Sequence, residues 1–300
     1  MTLSVADDSP LVTQRKRAHR SRGFWAVFFS RMLRNRISMA GAVLILAVLL
    51  VAVLAPLLAP YDPDAVQIRE RLQPPSAAHI FGTDELGRDI ASRVIYGAQI
   101  SFYVGLISVG IGLGVGVLIG LIGGYLGGVL DAAFMLLMDI MFAFPTILLA
   151  LTIVAILGAG LPSAMIAIGI VNIPTFARIT RGSVLSVREK DYVDAAVVIG
   201  AKDWRIMLFH VLPNVMAPII VQTSLGLSIA VLTEASLSFL GLGAQPPTPS
   251  WGTMLYTGQR YIEEAPWLSI FPGVAILLVV LGFNLLGDGL REALDPHMKG

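Results

Sequence analysis

The sequence predicts an all-α integral membrane protein with six transmembrane helices. Three observations carry this. Of the 300 residues, 56% are hydrophobic and only 14% are charged, whereas a soluble domain carries about 25% charged residues; the mean hydropathy is +0.79. Six stretches, at 37–59, 99–122, 133–157, 162–179, 214–240 and 268–287, each offer the roughly 17–25 apolar residues that a 30 Å hydrocarbon core requires. Finally, with both termini inside, 16 of the 21 Lys and Arg residues fall on the inner side and 5 on the outer, the asymmetry that orients membrane proteins.

Residues 1–36 form a basic cytoplasmic tail containing TQRKRAHRSR. The apolar stretch that follows is too long for a signal-peptide h-region and lacks an A-x-A exit, so 37–59 reads as a first transmembrane helix that stays in place. Residues 60–98 are an extracytoplasmic loop, proline-rich and mixed in charge, helical from about Asp89 with Ile90, Val94 and Ile95 on one face. Residues 99–290 hold the five-helix core and 291–300 a cytoplasmic tail. The second span carries glycines four apart (110/114, 112/116, 116/120, 120/124, 124/128). This spacing lets helix backbones approach closely in lipid; plain helix packing is the favoured reading, and sliding during gating the alternative. Pro145 and Pro174 interrupt the third and fourth spans. In the outer loop before the sixth span, Trp251 and Trp267 read either as interfacial anchors or as part of a docking surface.

The chain has no cysteine, which excludes disulfides, thiolate metal sites and a cysteine nucleophile. None of its four lysines (16, 190, 202, 299) precedes Ser or Thr, so a G-x4-G-K-[ST] phosphate loop is absent. H-E-x-x-H and G-x-S-x-G are absent too, and His19, His79, His210 and His297 all lie outside the predicted spans. Neither an enzyme nor a nucleic-acid binder is expected.

One polar segment interrupts the oil. Arg188 to Ile199 reads as a short helix with Tyr192, Ala195, Ala196 and Ile199 on one face. Gly200 is placed to end it in the left-handed conformation. Asp203 is then the expected N-cap of a second short helix with a stripe of Trp204, Met207, Leu208 and Val211, and Pro213 is expected to close that helix before the fifth span. Ala195 and Ala196 make a narrow ridge suited to a groove in a partner protein. Contact with lipid headgroups is the alternative, but the mixed charge gains little from anionic lipid.

The order Asp194-Ala195-Ala196, then Gly200, then Leu212-Pro213 resembles the EAA loop (E-A-A-x3-G-x9-I-x-L-P) of ABC importer permeases, with Asp194 in place of glutamate and His210 at the isoleucine position. The stretches GTDELGRDIASRVIYGAQIS, MFAFPTILLA, SFLGLGAQPPTPSWG and NLLGDGLREALDP look like the second permease subunit of dipeptide, oligopeptide and nickel importers. The resemblance covers nearly the whole chain outside the basic tail. It implies the type I ABC importer (MetI-like) permease fold in a prokaryotic inner membrane. It further implies a heterodimer with a second permease, two cytoplasmic ATPase subunits that bind the ATP and Mg2+, and an extracytoplasmic binding protein. This chain would hold no cofactor of its own. The implied coupling residues are Tyr192, Asp194, Ala195, Ala196, Gly200, Ala201, Asp203, Arg205, Leu212 and Pro213, in a loop at about 188–213.

Asp139 and Glu234 are the acidic residues clearly inside predicted spans, and intramembrane acids face a cavity or a partner rather than lipid. Asp139 is expected to pair with Arg178 or Arg181, with a proton path as the alternative. Glu234 is expected either to make a structural hydrogen bond to a neighbouring helix or the SFLGLG turn, or to line the outer pathway. Asn172 is a third pathway or gating candidate. A secondary transporter or channel remains the main competing class, for which neither a convincing internal repeat nor a set of midplane charges is present. The solute is open: a peptide, a nickel chelate, glutathione or another small solute.

Overall fold

The computed structural model describes Met32 and residues 35–294. The expectations for the basic tail and for residues 295–300 lie outside that range. Helix α1 (Arg36–Val53) starts at Asn35, whose side chain accepts from the Ile37 and Ser38 amides, and a break at Leu54 leads into the one-turn α2 (Ala55–Leu58). After the loop comes α3 (Ile90–Leu126), capped by Asp89 through the Ser92 amide. Then follow α4 (Gly128–Phe142), α5 (Thr146–Leu157), α6 (Leu161–Arg188), the short α7 (Asp191–Val198) and α8 (Asp203–Ile206), and α9 (Leu212–Phe239). The described residues end with α10 (Trp251–Gly258) and α11 (Trp267–Leu294).

Among the described residues five helices are long and apolar enough to cross a membrane, and a sixth crossing results if α4 and α5 together count as one span. The predicted third span is therefore corrected: 133–157 is not one helix but two, starting at Gly128 and bent by 92° at Ala143–Pro145. Proline pushes its preceding residue out of the helical region, and Pro145 itself is extended at φ −54°, ψ 128°. Pro174, by contrast, lies buried inside an unbroken α6. At about 1.5 Å per residue the 37 residues of α3 reach roughly 55 Å, well beyond a 30 Å core, so its first turns stand clear of the predicted span and carry the loop.

Helices α3 and α6 run parallel and in close contact. Gly112 faces Asn172, Gly116 faces Phe176, Gly120 faces Thr180 and Gly124 faces Val184. A methyl group on Gly116 would sit 2.6 Å from Phe176 Cβ, so this glycine series is what lets the two backbones meet. Gly110 and Gly114 face open space. Only one of the two glycine series read from the sequence is a packing seam.

Three apolar clusters hold the bundle together. In the first, Ile90, Ala98, Val231, Trp251, Leu268 and Phe283 join α3, α9, α10 and α11. The second includes Val104, Ala150, Val154, Ile168, Phe176 and Leu237. The third, which takes in the hairpin, includes Leu121, Tyr125, Val184, Val193, Ala196, Ile206 and Ile219. Trp251 is fully buried and its indole N–H donates to the Val94 carbonyl at 2.9 Å, while that of Trp267 donates to the Thr83 carbonyl at 3.3 Å. Trp251 is thus neither an interfacial anchor nor a docking side chain. It pins the segment after α9 onto α3.

Candidate functional site

The segment between α6 and α9 folds back as the predicted hairpin, with differences in which faces pack. Helix α6 continues to Arg188, and α7 begins separately at Asp191. Gly200 has φ +79°. Its amide donates to the Val197 carbonyl at 2.9 Å and the Ala201 amide to the Ala196 carbonyl at 3.1 Å. This pair of bonds closes a helix end around a left-handed residue.

The packed side of α7 is Val193 and Ala196, which join the third cluster. Tyr192, Asp194 and Ala195 point outward, and Ile199 is 83% exposed. The expected two-alanine ridge is corrected: Ala195 is available to a partner, Ala196 is not. Asp203 is the first helical residue of α8 and not its N-cap; Lys202 holds that position without a side-chain bond. The Asp203 carboxylate instead accepts from the Tyr125 hydroxyl at 3.3 Å, tying the hairpin to the last turns of α3. On α8 and beyond, Ile206 and Val211 pack inward, while Trp204, Leu208 and Phe209 stay exposed. Arg205 is exposed as well.

Pro213 does not close this helix. Residues 203–239 continue as one helical rod, with a π-helical turn at Met207–Val211. A proline inside a helix removes one amide donor and crowds the preceding turn, and the widened turn just before Leu212-Pro213 gives that crowding room. The Asn214 side-chain amide donates to the His210 carbonyl at 2.7 Å.

The hairpin therefore presents an outer surface of Val197, Val198, Ile199, Trp204, Leu208 and Phe209, all apolar and exposed. The residues at 197, 198 and 209 were not singled out from the sequence. Both sides of DYVDAAVV carry aliphatic residues, so periodicity does not distinguish the inward side from the outward one.

The other candidates fall into three environments. Asp139 on α4 accepts from the Arg178 guanidinium on α6, which lies 4.3 Å over the Phe142 ring. Their side chains are 59% and 47% exposed. The other expected partner, Arg181, pairs with Asp131, which sequence reasoning missed because it falls just ahead of the predicted third span. This second pair is bidentate, both N–H···O distances being 2.6 Å. Asn172 is buried in the α3–α6 seam, its amide donating to the Ile168 carbonyl at 2.8 Å. Glu234 is 1% exposed and accepts from Ser238 at 2.6 Å and Ser250 at 2.9 Å. Asn172 and Glu234 are both enclosed in this conformation, and the Ser238 contact is the structural hydrogen bond to the SFLGLG turn that was one of the two roles expected of Glu234. Asp139 alone of the three is on an open face.

Comparison with known proteins agrees with this arrangement. Residues 116–300 match the family described as binding-protein-dependent transport system inner membrane component, and residues 23–75 match the N-terminal TM domain of oligopeptide transport permease C. The chain is 50% identical over 275 residues to the dipeptide transport system permease protein DppC of Alkalihalophilus pseudofirmus, covering 92% of this chain and 90% of that protein. It is 49% identical over 279 residues to the di/tripeptide transport system permease protein DppC of Pseudomonas aeruginosa, covering 91% and 92%. It is 45% identical over 276 residues to the glutathione transport system permease protein GsiD of Pectobacterium atrosepticum, covering 92% of each. Among solved structures, a chain of the MetNI methionine ABC transporter in an inward-facing form superposes with a TM-score of 0.56 at 18% identity, over 68% of this chain and 97% of that one. That likeness establishes the fold. The chain belongs to the inner-membrane permease components of binding-protein-dependent ABC importers, in the branch that holds the dipeptide and oligopeptide permeases.

Proposed function

We propose that this chain forms one half of the translocation pathway of an ATP-driven importer for peptides or a peptide-like solute such as glutathione. It pairs with a second, different permease subunit in the lipid bilayer, receives solute from an extracytoplasmic binding protein, and seats its 188–213 hairpin on a cytoplasmic ATPase subunit. ATP and Mg2+ belong to two such ATPase subunits. Both termini are cytoplasmic, in keeping with the distribution of Lys and Arg.

The observation that carries this reading is the outer face of the hairpin. Val198, Ile199, Trp204 and Phe209 are between 54% and 86% exposed on a segment otherwise rich in charge. An apolar patch rimmed by polar residues marks an interaction surface, and Trp is the side chain most enriched among binding hot spots. The peptide class is supported by relatives of nearly half-identical sequence that carry dipeptide, di/tripeptide and glutathione transport in their names.

The test is co-purification of the cognate ATPase subunits with this permease and its partner. Ile199→Asp with Trp204→Asp is expected to abolish ATPase capture while the chain still inserts in the membrane. ATPase capture and solute-stimulated hydrolysis at wild-type levels in that double variant would refute the assignment.

A further inference from the structure

Helix α4 is attached to the rest of the molecule in an unusual way. Of its 15 residues only Met138 is buried, so apolar packing does little to hold it. At its far end the 92° bend separates it from α5, which packs into the second apolar cluster through Ala150 and Val154. What fastens α4 is charge. Asp131 and Asp139 lie two helical turns apart on α4, and each meets an arginine of α6.

The Asp131–Arg181 pair is built into a three-helix junction. Both guanidinium contacts are at 2.6 Å, the planar two-pronged match that makes Arg–carboxylate pairs stiff. The carboxylate rests above Gly123 of α3, where an added Cβ would come within 3.1 Å of Asp131 Oδ1. The backbone nitrogen of Arg181 is 2.9 Å from where a Cβ on Gly120 would stand. Small residues on α3 therefore admit the pair. At Arg178 the guanidinium is clamped between Asp139 and the Phe142 ring, immediately before the bend.

Helix α6 is one unbroken rod from Leu161 to Arg188, and the hairpin helix α7 starts at Asp191. A displacement of the hairpin thus reaches α6 through two intervening residues. From this geometry we infer that Arg181, with Arg178, is a positioning residue for transport: the ion pairs make α4 follow α6, so that movement of the hairpin becomes movement of α4 about the Ala143–Pro145 bend. The exposed Phe142 and Phe144 ride on that bend. This rests on the coupling function proposed for the hairpin, and adds which residues carry the movement inward.

The experiment uses the complete transporter in proteoliposomes with its binding protein and ATPase subunits, reading solute imported and ATP hydrolysed in parallel. Arg181→Gln is expected to keep ATPase capture and hydrolysis while import falls by about tenfold, a typical size for a coupling between sites. Asp131→Arg combined with Arg181→Asp restores opposite charges and is expected to recover most of the lost import. Should Arg181→Gln fail to insert, Arg181→Lys serves instead, since it keeps the charge but loses the fork. Import per ATP equal to wild type in the single variant, or no recovery in the swapped pair, overturns the inference. Failure of the wild-type chain to capture ATPase subunits at all would overturn the parent reading, and this inference with it.

Discussion

His79 Nδ1 lies 2.9 Å from Asp89 Oδ1, and Asp89 is at the same time the N-cap of the 37-residue helix α3. The other ring nitrogen, Nε2, is 3.2 Å from Glu70, and the ring sits 4.8 Å from that of Tyr61. Tyr61 in turn donates its amide to Ser92 Oγ, the hydroxyl that donates to Asp89 Oδ2. Two carboxylates on the two ring nitrogens suit the imidazolium, in which both nitrogens donate. The 60–89 loop is thus clasped to the start of α3 by His79, most strongly when its ring is protonated.

That clasp predicts a pH dependence. Burial opposes the charge on His79, but the hydrogen bonds and attraction from Asp89 and Glu70 together outweigh it, so its pKa stands above the ordinary histidine value. A raised folded-state pKa gives stability that is fully present below the unfolded value of about 6.5 and is lost as pH rises through the folded value. Amide exchange at Leu72 and Thr83, whose N–H groups are bonded within the loop, should therefore accelerate above neutral pH beyond the intrinsic rate. His79→Asn should remove that excess. A wild-type loop whose corrected exchange is flat from pH 6 to pH 9 would contradict the clasp.

Gly200 tests the hairpin bend. No atom lies within 4 Å of a Cβ built there, so substitution costs only what the backbone demands at φ +79°. Asparagine visits this region and β-branched residues resist it. Gly200→Asn should couple hydrolysis to import much as wild type does. Gly200→Val should lose coupling, at a local strain of about 1–3 kcal/mol. Equal coupling in the two variants would show that the bend is not required.

The glycine seam makes a paired prediction. Gly116→Val places a Cβ 2.6 Å from Phe176 Cβ and 2.7 Å from the Ile173 carbonyl, whereas Gly114→Val meets nothing within 4 Å. Overpacking of this kind typically costs about 1–3 kcal/mol. The melting temperature of the detergent-purified chain should drop clearly for Gly116→Val and stay near wild type for Gly114→Val. Similar melting temperatures for both would mean that α3 and α6 part easily.

Much of this was readable in advance, and the failures have physical causes. Glycines four apart announced close packing, yet two interleaved series fit the rule, and only the neighbour α6 decides that 112/116/120/124 is the seam. Pro145 announced a break but not its 92° angle, because a proline in a spanning helix is also compatible with a mild kink. Asp139 with Arg178 was anticipated from the need to pair a charge in the membrane. Asp131 escaped the same logic because it falls just ahead of the predicted span at 133–157. The His79 clasp joins residues nine and ten apart through an irregular loop, where no periodicity exists to reveal it.

Glu234 separates structure from pathway. Its Oε1 accepts from Ser238 and Ser250, and Ser238 Oγ also accepts the Ala244 amide at 2.9 Å. One carboxyl oxygen thus holds the turn after α9 against the start of α10, and the side chain is enclosed. Glu234→Gln keeps an oxygen acceptor of the same reach and removes the charge, so both serine bonds survive. Glu234→Ala leaves two buried hydroxyls without their acceptor, at about 1–3 kcal/mol for each group that finds no substitute. The expected outcome is near-normal import of neutral and cationic solutes alike by Glu234→Gln, and a destabilised transporter for Glu234→Ala. If Glu234→Gln instead loses import of cationic solutes selectively, with hydrolysis still coupled for neutral ones, the carboxylate must become exposed to solute in another conformation. In that case the latch opens during the cycle, and the two serines would be expected to matter for transport rate as well as for stability.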